Sequence, residues 1–130
     1  MSVQMELHKI IISEMQEQQF IWLKEVDGER KFPIVIGTYE AHAIDRRLKC
    51  IPTQRPLTHD LLADTIERLG GTIDNIEINN LESGTFYARI NIRQNDDTVT
   101  MDSRPSDAIA LGIATQVPIF VAEHVLDEVC

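Results

Sequence analysis

Asp102-Ser103-Arg104-Pro105-Ser106-Asp107 runs directly into the apolar stretch Ala108-Ile109-Ala110-Leu111-Gly112-Ile113-Ala114. The first six residues read as the end of a strand turning into a helix. Pro105 suits the first helical turn, where its missing N–H costs nothing. That makes Ser103 or Arg104 the boundary residue. Ser106 and Asp107 then fall where free backbone N–H groups and the helix dipole favour oxygen atoms. No charge occurs from Ala108 to Ala114, so the helix is expected to be buried around most of its circumference, with small residues that allow close approach. Asp, Ser, Arg, Ser and Asp leading into a buried helix either fix a turn or hold a site.

Upstream of this stretch the second half of the chain reads as three strands. Thr72–Leu81 carries Ile73, Ile76 and Ile78. Thr85–Arg93 alternates, with Phe86, Ala88, Ile90 and Ile92 on one face and Tyr87, Arg89, Asn91 and Arg93 on the other. Thr98–Asp102 is a short third strand. After the helix come a short strand, Val117–Val121, and a terminal helix, Ala122–Val129.

The first half follows the same plan. Val3–Ser13 alternates at first and then becomes Ile10-Ile11-Ile12, which predicts a strand wet on one side at its start and buried further on. Gln18–Val26 and Lys31–Ile36 form a hairpin about Asp27-Gly28. Gly37 ends the third strand and Thr38 is the expected cap of a helix over 39–49, with Ala41, Ile44 and Leu48 as its apolar stripe. A loop with Pro52 and Pro56 leads to Thr58, the expected cap of a connecting helix over 59–69. Its buried face reads as Leu61, Leu62, Thr65, Ile66 and Leu69, and Gly70-Gly71 stops it. Glu40-Ala41-His42-Ala43-Ile44 follows its strand much as Pro105-Ser106-Asp107-Ala108-Ile109 follows its own, which points to an ancient duplication. The expected fold is α+β: two β-β-β-α repeats with a connecting helix, mostly antiparallel sheet with helices packed on it.

At 130 residues the chain is expected to form one domain with a substantial core. No apolar run approaches the roughly 20 residues of a membrane span, and the first residues carry no signal-peptide pattern. The two cysteines, Cys50 and Cys130, are far apart and lack metal-ligand spacing, so free thiols in a reducing cytoplasm are expected. Net charge is −9, of which −2 falls in residues 1–65 and −7 in residues 66–130. Arg46, Arg47, Lys49 and Arg55 are the one basic cluster. This excludes a protein that coats nucleic acid by broad phosphate neutralisation. An acidic enzyme can still act on phosphate when a metal supplies the positive charge.

No phosphate-binding Gly-rich loop, nucleophile elbow, His-Glu-x-x-His or Cys-x-x-Cys is present. What remains is three groups of polar residues at helix starts. Thr58-His59-Asp60 offers a general base or metal ligand with a carboxylate beside it, or simply a cap and a dipole partner. Glu40, His42 and Asp45 make either a ligating face or a solvated one. Asp102, Arg104, Ser106 and Asp107 make a run that capping explains only in part. Together they could bind Mg²⁺ or Mn²⁺, and such a metal beside Arg104 and the Arg46 cluster suits phosphodiester hydrolysis.

Four stretches carry a resemblance: Gly37 with Glu40-Ala41-His42-Ala43-Ile44; Arg55-Pro56-Leu57-Thr58-His59-Asp60-Leu61; Gly84-Thr85-Phe86-Tyr87-Ala88; and Asp102 to Leu111 followed by Pro118-Ile119-Phe120-Val121. They resemble the bifunctional nuclease domain family over about residues 3–128. The resemblance implies an α+β domain, a homo-oligomer (a dimer first), and activity on RNA and DNA. On the positions that match, it marks Glu40, Arg55, His59, Asp60, Tyr87, Asp102, Arg104, Ser106 and Asp107. The expected roles are His59, Asp60, Arg104, Ser106 and Glu40 in catalysis, Arg55, Arg46 and Tyr87 at the substrate, and Asp102 and Asp107 on the metal. A second reading makes the same residues the fixings of a non-catalytic oligomeric module that binds a partner protein or a small anion. A closed network among Asp102, Arg104 and Asp107 with no open cleft would favour it.

Overall fold

A computed structural model describes all 130 residues. The elements are β1 (Ser2–Ile11), β2 (Gln18–Glu25), β3 (Lys31–Gly37), α1 (Thr38–Leu48), α2 (Thr58–Arg68), β4 (Gly71–Glu82), β5 (Thr85–Gln94), β6 (Asp97–Ser103), α3 (Pro105–Thr115), β7 (Ile119–Ala122) and α4 (Glu123–Val129). All seven strands form one sheet in the order β3-β2-β1-β7-β4-β5-β6. Every pairing is antiparallel except β4 with β7. The class is α+β as expected: a mostly antiparallel mixed sheet with four helices.

The strand order explains the sequence echo. The meander β1-β2-β3 lies on one side of β7 and the meander β4-β5-β6 on the other, each followed by a helix. Because β1 runs antiparallel to β7 and β4 parallel to it, the two halves are related by a pseudo-two-fold through β7. The helices match two residues off the register suggested by the sequence. Glu40 corresponds to Asp107, each the third helical residue; Ala41 corresponds to Ala108 and Ile44 to Leu111, all four of them buried. The shared Ala-Ile pairs had pointed to the wrong offset.

One face of the sheet carries the core. Ile21, Leu23, Phe32, Ile34, Ile76, Ile78, Ile90 and Val121 all lie on it, and the register stacks Ile21 beside Ile34 and Ile78 beside Val121. The other face is polar on β4 and β5, with the pairs Glu77–Arg89 and Asn75–Asn91, but apolar on β2 and β3, where Phe20 stands beside Val35 and Trp22 beside Pro33. Pro33 sits on β3, an edge strand, where a missing ladder N–H is tolerated. The sheet curls strongly. Phe32 of β3 and Phe86 of β5 stand five places apart in the strand order, roughly 24 Å in a flat sheet, yet their rings stack at 5.7 Å. This curl brings the β3–α1 and β6–α3 corners together.

Helix α3 packs against α1, α2, β4 and β5. Pro105, Ser106 and every residue from Ala108 to Gly112 are buried. Gly112 lies so close to β4 that a Cβ there would stand 3.0 Å from Ile76 Cδ1. Two expectations for the other helices fail. The caps are Gly37 and Leu57 rather than Thr38 and Thr58: Thr38 donates from Oγ1 to the Glu17 carbonyl, and the Asp60 carboxylate accepts from the Leu57 N–H at 3.1 Å. Helix α2 is also turned differently. His59, Ala63 and Ile66 face inward, while Leu61 and Leu69 are 60% and 72% exposed. Periodicity cannot separate these faces, because the leucines make the stronger stripe but the space beside α3 admits the narrower one. Leu48 is exposed as well. In β1, a bulge at His8 shifts the register and leaves Ile11 outward on a face with no second layer.

Candidate functional site

The starts of α1, α2 and α3 converge on one groove. Each helix carries an acid as its third residue, Glu40, Asp60 and Asp107 respectively. That position suits a carboxylate because the first-turn N–H groups are unpaired and the dipole is positive there. Two of the three acids are drawn into a single chain of contacts. Arg104, the N-cap residue of α3, bonds through Nε to Asp107 Oδ2 at 2.9 Å and through Nη2 to Asp107 Oδ1 at 3.2 Å. Its Nη2 also lies 3.1 Å from Glu40 Oε1. Asp107 Oδ1 is in turn 3.2 Å from His59 Nε2. The contacts thus run Glu40–Arg104–Asp107–His59, crossing all three helices.

Burial and charge act in opposition at Asp107. Desolvation pushes its pKa up, but the hydrogen bonds from Arg104 and His59 outweigh it and hold the carboxyl below its ordinary value. Asp107 in return pushes the Arg104 guanidinium further up. The Arg104 side chain remains two-thirds exposed, and Nη1 has no protein partner. His59 is buried, and its second nitrogen, Nδ1, has no hydrogen-bond partner. A buried orphan of this kind is unusual and marks a place where a ligand or water is called for.

The groove itself is open. Tyr39, Leu62 and Met101 line it together with Glu40, His59, Arg104 and Asp107. These three apolar side chains are partly exposed, so an apolar shelf lies beside the charged chain. Tyr39, Leu62 and Met101 escaped the sequence reading. The adjacency of Tyr39 to Glu40 at a helix start was the available signal. Arg47 was noted only as part of a basic cluster, yet it ties the corner together: Nη2 donates to the Ala114 carbonyl at 2.8 Å and Nη1 lies 3.8 Å from Asp60 Oδ1.

The other sequence candidates do not join this chain of contacts. Asp102 borders the groove, but it stands opposite Arg89 in the β5–β6 register, so its side chain leaves the sheet on the face away from the helices. Tyr87 alternates with the core-facing Ala88 and shares that outer face. Ser106 is buried against the seam between β3 and the β4–β5 turn, on the other side of Arg104. Arg55 lies on the exposed loop before α2, in a shallow depression with Arg47 and Asp60. Arg46 lines a separate small cavity with His59 on its wall. Asp60 is taken up by its capping bond and by Arg47. On the outer part of α1, His42 is exposed and Asp45 pairs with Lys49 at 3.0 Å.

The donor set does not fit a divalent cation as arranged. Asp102 and Asp107 occupy opposite faces of the sheet, and no three His, Cys, Asp or Glu side chains converge on a point where a metal could sit. The carboxylates of Glu40 and Asp107 are both turned to the Arg104 guanidinium, which holds the place a cation would take. The closed network expected among Asp102, Arg104 and Asp107 does not form: Arg104 pairs with Asp107 and Glu40, Asp102 takes no part, and an open groove lies beside the pair. No helix is long and apolar enough to cross a membrane.

The bifunctional nuclease domain model matches residues 21–130. An uncharacterized protein of Mycobacterium tuberculosis (strain ATCC 25618 / H37Rv) is 39% identical over 117 residues, covering 90% of this chain and 70% of the relative. Bifunctional nuclease 1 of Oryza sativa subsp. japonica is 27% identical over 109 residues, which is 81% of this chain and 33% of that protein. Bifunctional nuclease 2 of the same plant is 25% identical over 114 residues, covering 85% and 35%.

Proposed function

The chain belongs to the bifunctional nuclease domain family, and from that premise we propose that it hydrolyses phosphodiester bonds in RNA and DNA at the groove between α1, α2 and β6. The observation that carries this reading is the contact chain Glu40–Arg104–Asp107–His59 along the groove wall. Asp107 fixes the imidazole of His59, as a carboxylate does for a histidine that must hold or move a proton at a defined atom. Arg104, anchored by two carboxylates, offers the free Nη1 to a phosphodiester oxygen and stabilises the charge that develops on it. The shelf of Tyr39, Leu62 and Met101 accommodates an unstacked base, which fits single-stranded substrate.

Glu40 acts as the anchor of Arg104, and Asp60 positions the start of α2. Arg55 and Arg46 would reach substrate only outside the groove. Mg²⁺ or Mn²⁺ enters this proposal as a condition of the assay, with no step assigned to it. A homodimer is part of the proposal, because the outward leucines of α2 are what a second copy would cover.

The test is cleavage of single-stranded RNA and DNA by purified protein in Mg²⁺, in Mn²⁺ and in EDTA. Cleavage that survives in Arg104→Met would remove Arg104 from the reaction. The second reading, a non-catalytic binding module, is favoured by one observation: Arg104 is already paired with two carboxylates. Tight binding of single strands with no cleavage in any condition would select it.

A further inference from the structure

A partly open cavity of about 110 Å³, with His59 on its wall, lies between α1, the loop after it, α2 and α3. Arg46, Arg47, Thr53, Leu57, His59 and Asp60 contribute to its wall, with small alanines of α1 and α3 behind them. A water takes about 30 Å³ of liquid volume, so the space holds a body of several heavy atoms, such as a tetrahedral oxyanion.

Three independent features of this wall favour an anion. The first is the N-terminus of α2, an eleven-residue helix whose N-cap residue Leu57 and second residue His59 both line the cavity. Its first-turn N–H groups and positive dipole end attract negative charge. The second is a pair of arginines. Arg46 forms no ion pair within the protein, its neighbour Asp45 being bound to Lys49. Arg47 is held by the Ala114 carbonyl and lies loosely against Asp60. The third is His59, 8% exposed, with Nε2 committed to Asp107 and Nδ1 without a partner. The unpartnered Nδ1 is a donor in the imidazolium and an acceptor in the neutral tautomer that donates to Asp107. A hydrogen phosphate ion, with both P–O⁻ and P–OH, satisfies either. The one acid on the wall, Asp60, is already spent on the Leu57 N–H and Arg47.

We propose that the cavity between α1 and the N-terminus of α2, lined by Arg46, Arg47 and His59, binds a phosphate-type oxyanion, either free or as the terminal phosphate of a nucleotide. His59 lines both this cavity and the groove, and the inference does not rest on the nuclease reading.

The test is isothermal titration of inorganic phosphate into the full chain in EDTA, at constant ionic strength. Wild type is compared with Arg46→Ala and with Arg68→Ala. Arg68 is on the outer turn of α2, 3.9 Å from Asp64, so it controls for the loss of one positive charge. The expected result is saturable binding, at least about tenfold weaker in Arg46→Ala and within about twofold of wild type in Arg68→Ala. Circular dichroism of both variants checks the fold, and the His59 ring resonances should move on phosphate addition in wild type. Repeating the titration with a nucleoside 5′-monophosphate and with the nucleoside separates the two sources: tighter nucleotide binding assigns a terminal phosphate, equal binding a free ion. No saturable binding, equal weakening in the two variants, or unmoved His59 resonances would overturn the proposal. No turnover is measured, so its failure leaves the nuclease reading untouched, and the converse holds.

Discussion

Glu40 and Asp107 occupy the same position, the third residue of α1 and of α3, and one guanidinium, that of Arg104, holds both. The two repeats therefore meet at their corners, and an arginine present in only one of them bridges the pair. The curl of the sheet makes this possible by bringing its two edges together, with Phe32 stacked on Phe86 across the seam.

This bridge is testable by a double-mutant cycle with Arg104→Met and Glu40→Gln. Glu40 is buried whereas Arg104 is largely exposed, so removing the arginine leaves a desolvated carboxylate behind. The cycle should give a coupling of about 1 kcal/mol in urea unfolding. Additive effects would mean that the pair is not formed in solution.

The same geometry predicts the metal behaviour of the resting protein. Arg104 occupies the place of a cation between two carboxylates. Mn²⁺ binding, followed by its paramagnetic signal, should be weak in wild type and tighter in Arg104→Met, where Glu40 and Asp107 are released from the guanidinium. Tight stoichiometric Mn²⁺ binding by wild type would show that these residues rearrange readily.

Much of this architecture is legible in the sequence. The alternation of Thr85–Arg93, the turn at Asp27-Gly28 and the Pro105 helix start place strands and helices within a residue or two of their observed ends. The residues meeting at the site were also readable as helix-start polar groups. What could not be read is which side of the sheet a residue takes. Asp102 and Asp107 are five residues apart and look like one cluster, yet the pleat of β6 sends Asp102 outward while the first turn of α3 sends Asp107 inward. The rotation of α2 was hidden for a similar reason, since its inward face carries a histidine and its outward face the leucines.

Those leucines make a prediction about assembly. Light scattering should give a mass twice the 14.8 kDa of the chain, and Leu61→Glu with Leu69→Glu should lower it towards the monomer. A monomer in wild type at working concentration would contradict the dimer.

Gly112 tests the packing of α3 on β4. A Cβ there meets Ile76 at 3.0 Å, so Gly112→Val should overpack the core and cost about 2 kcal/mol in chemical denaturation. An unchanged midpoint would place α3 further from the sheet.

The pH dependence of stability has one contributor remote from the site. Burial raises the Glu77 pKa, but hydrogen bonds from Ser2 and Arg89 dominate and lower it. A carboxyl depressed in the folded state adds stability above its unfolded value and loses it as pH falls through the folded value. Glu77→Gln should therefore be less stable than wild type at neutral pH, by about 1 kcal/mol, with the gap closing in acid. A gap that persists unchanged at low pH would assign the loss to something other than the carboxylate charge.

The central claim is that the His59–Asp107 pair works in phosphodiester hydrolysis. The most direct measurement is the initial rate of single-stranded RNA and DNA cleavage by wild type, His59→Gln and Asp107→Asn, purified identically and shown to be folded, in the divalent-ion condition that supports the highest wild-type rate. The account predicts a loss of about 100-fold or more in each variant. Cleavage at the wild-type rate by both folded variants would contradict it.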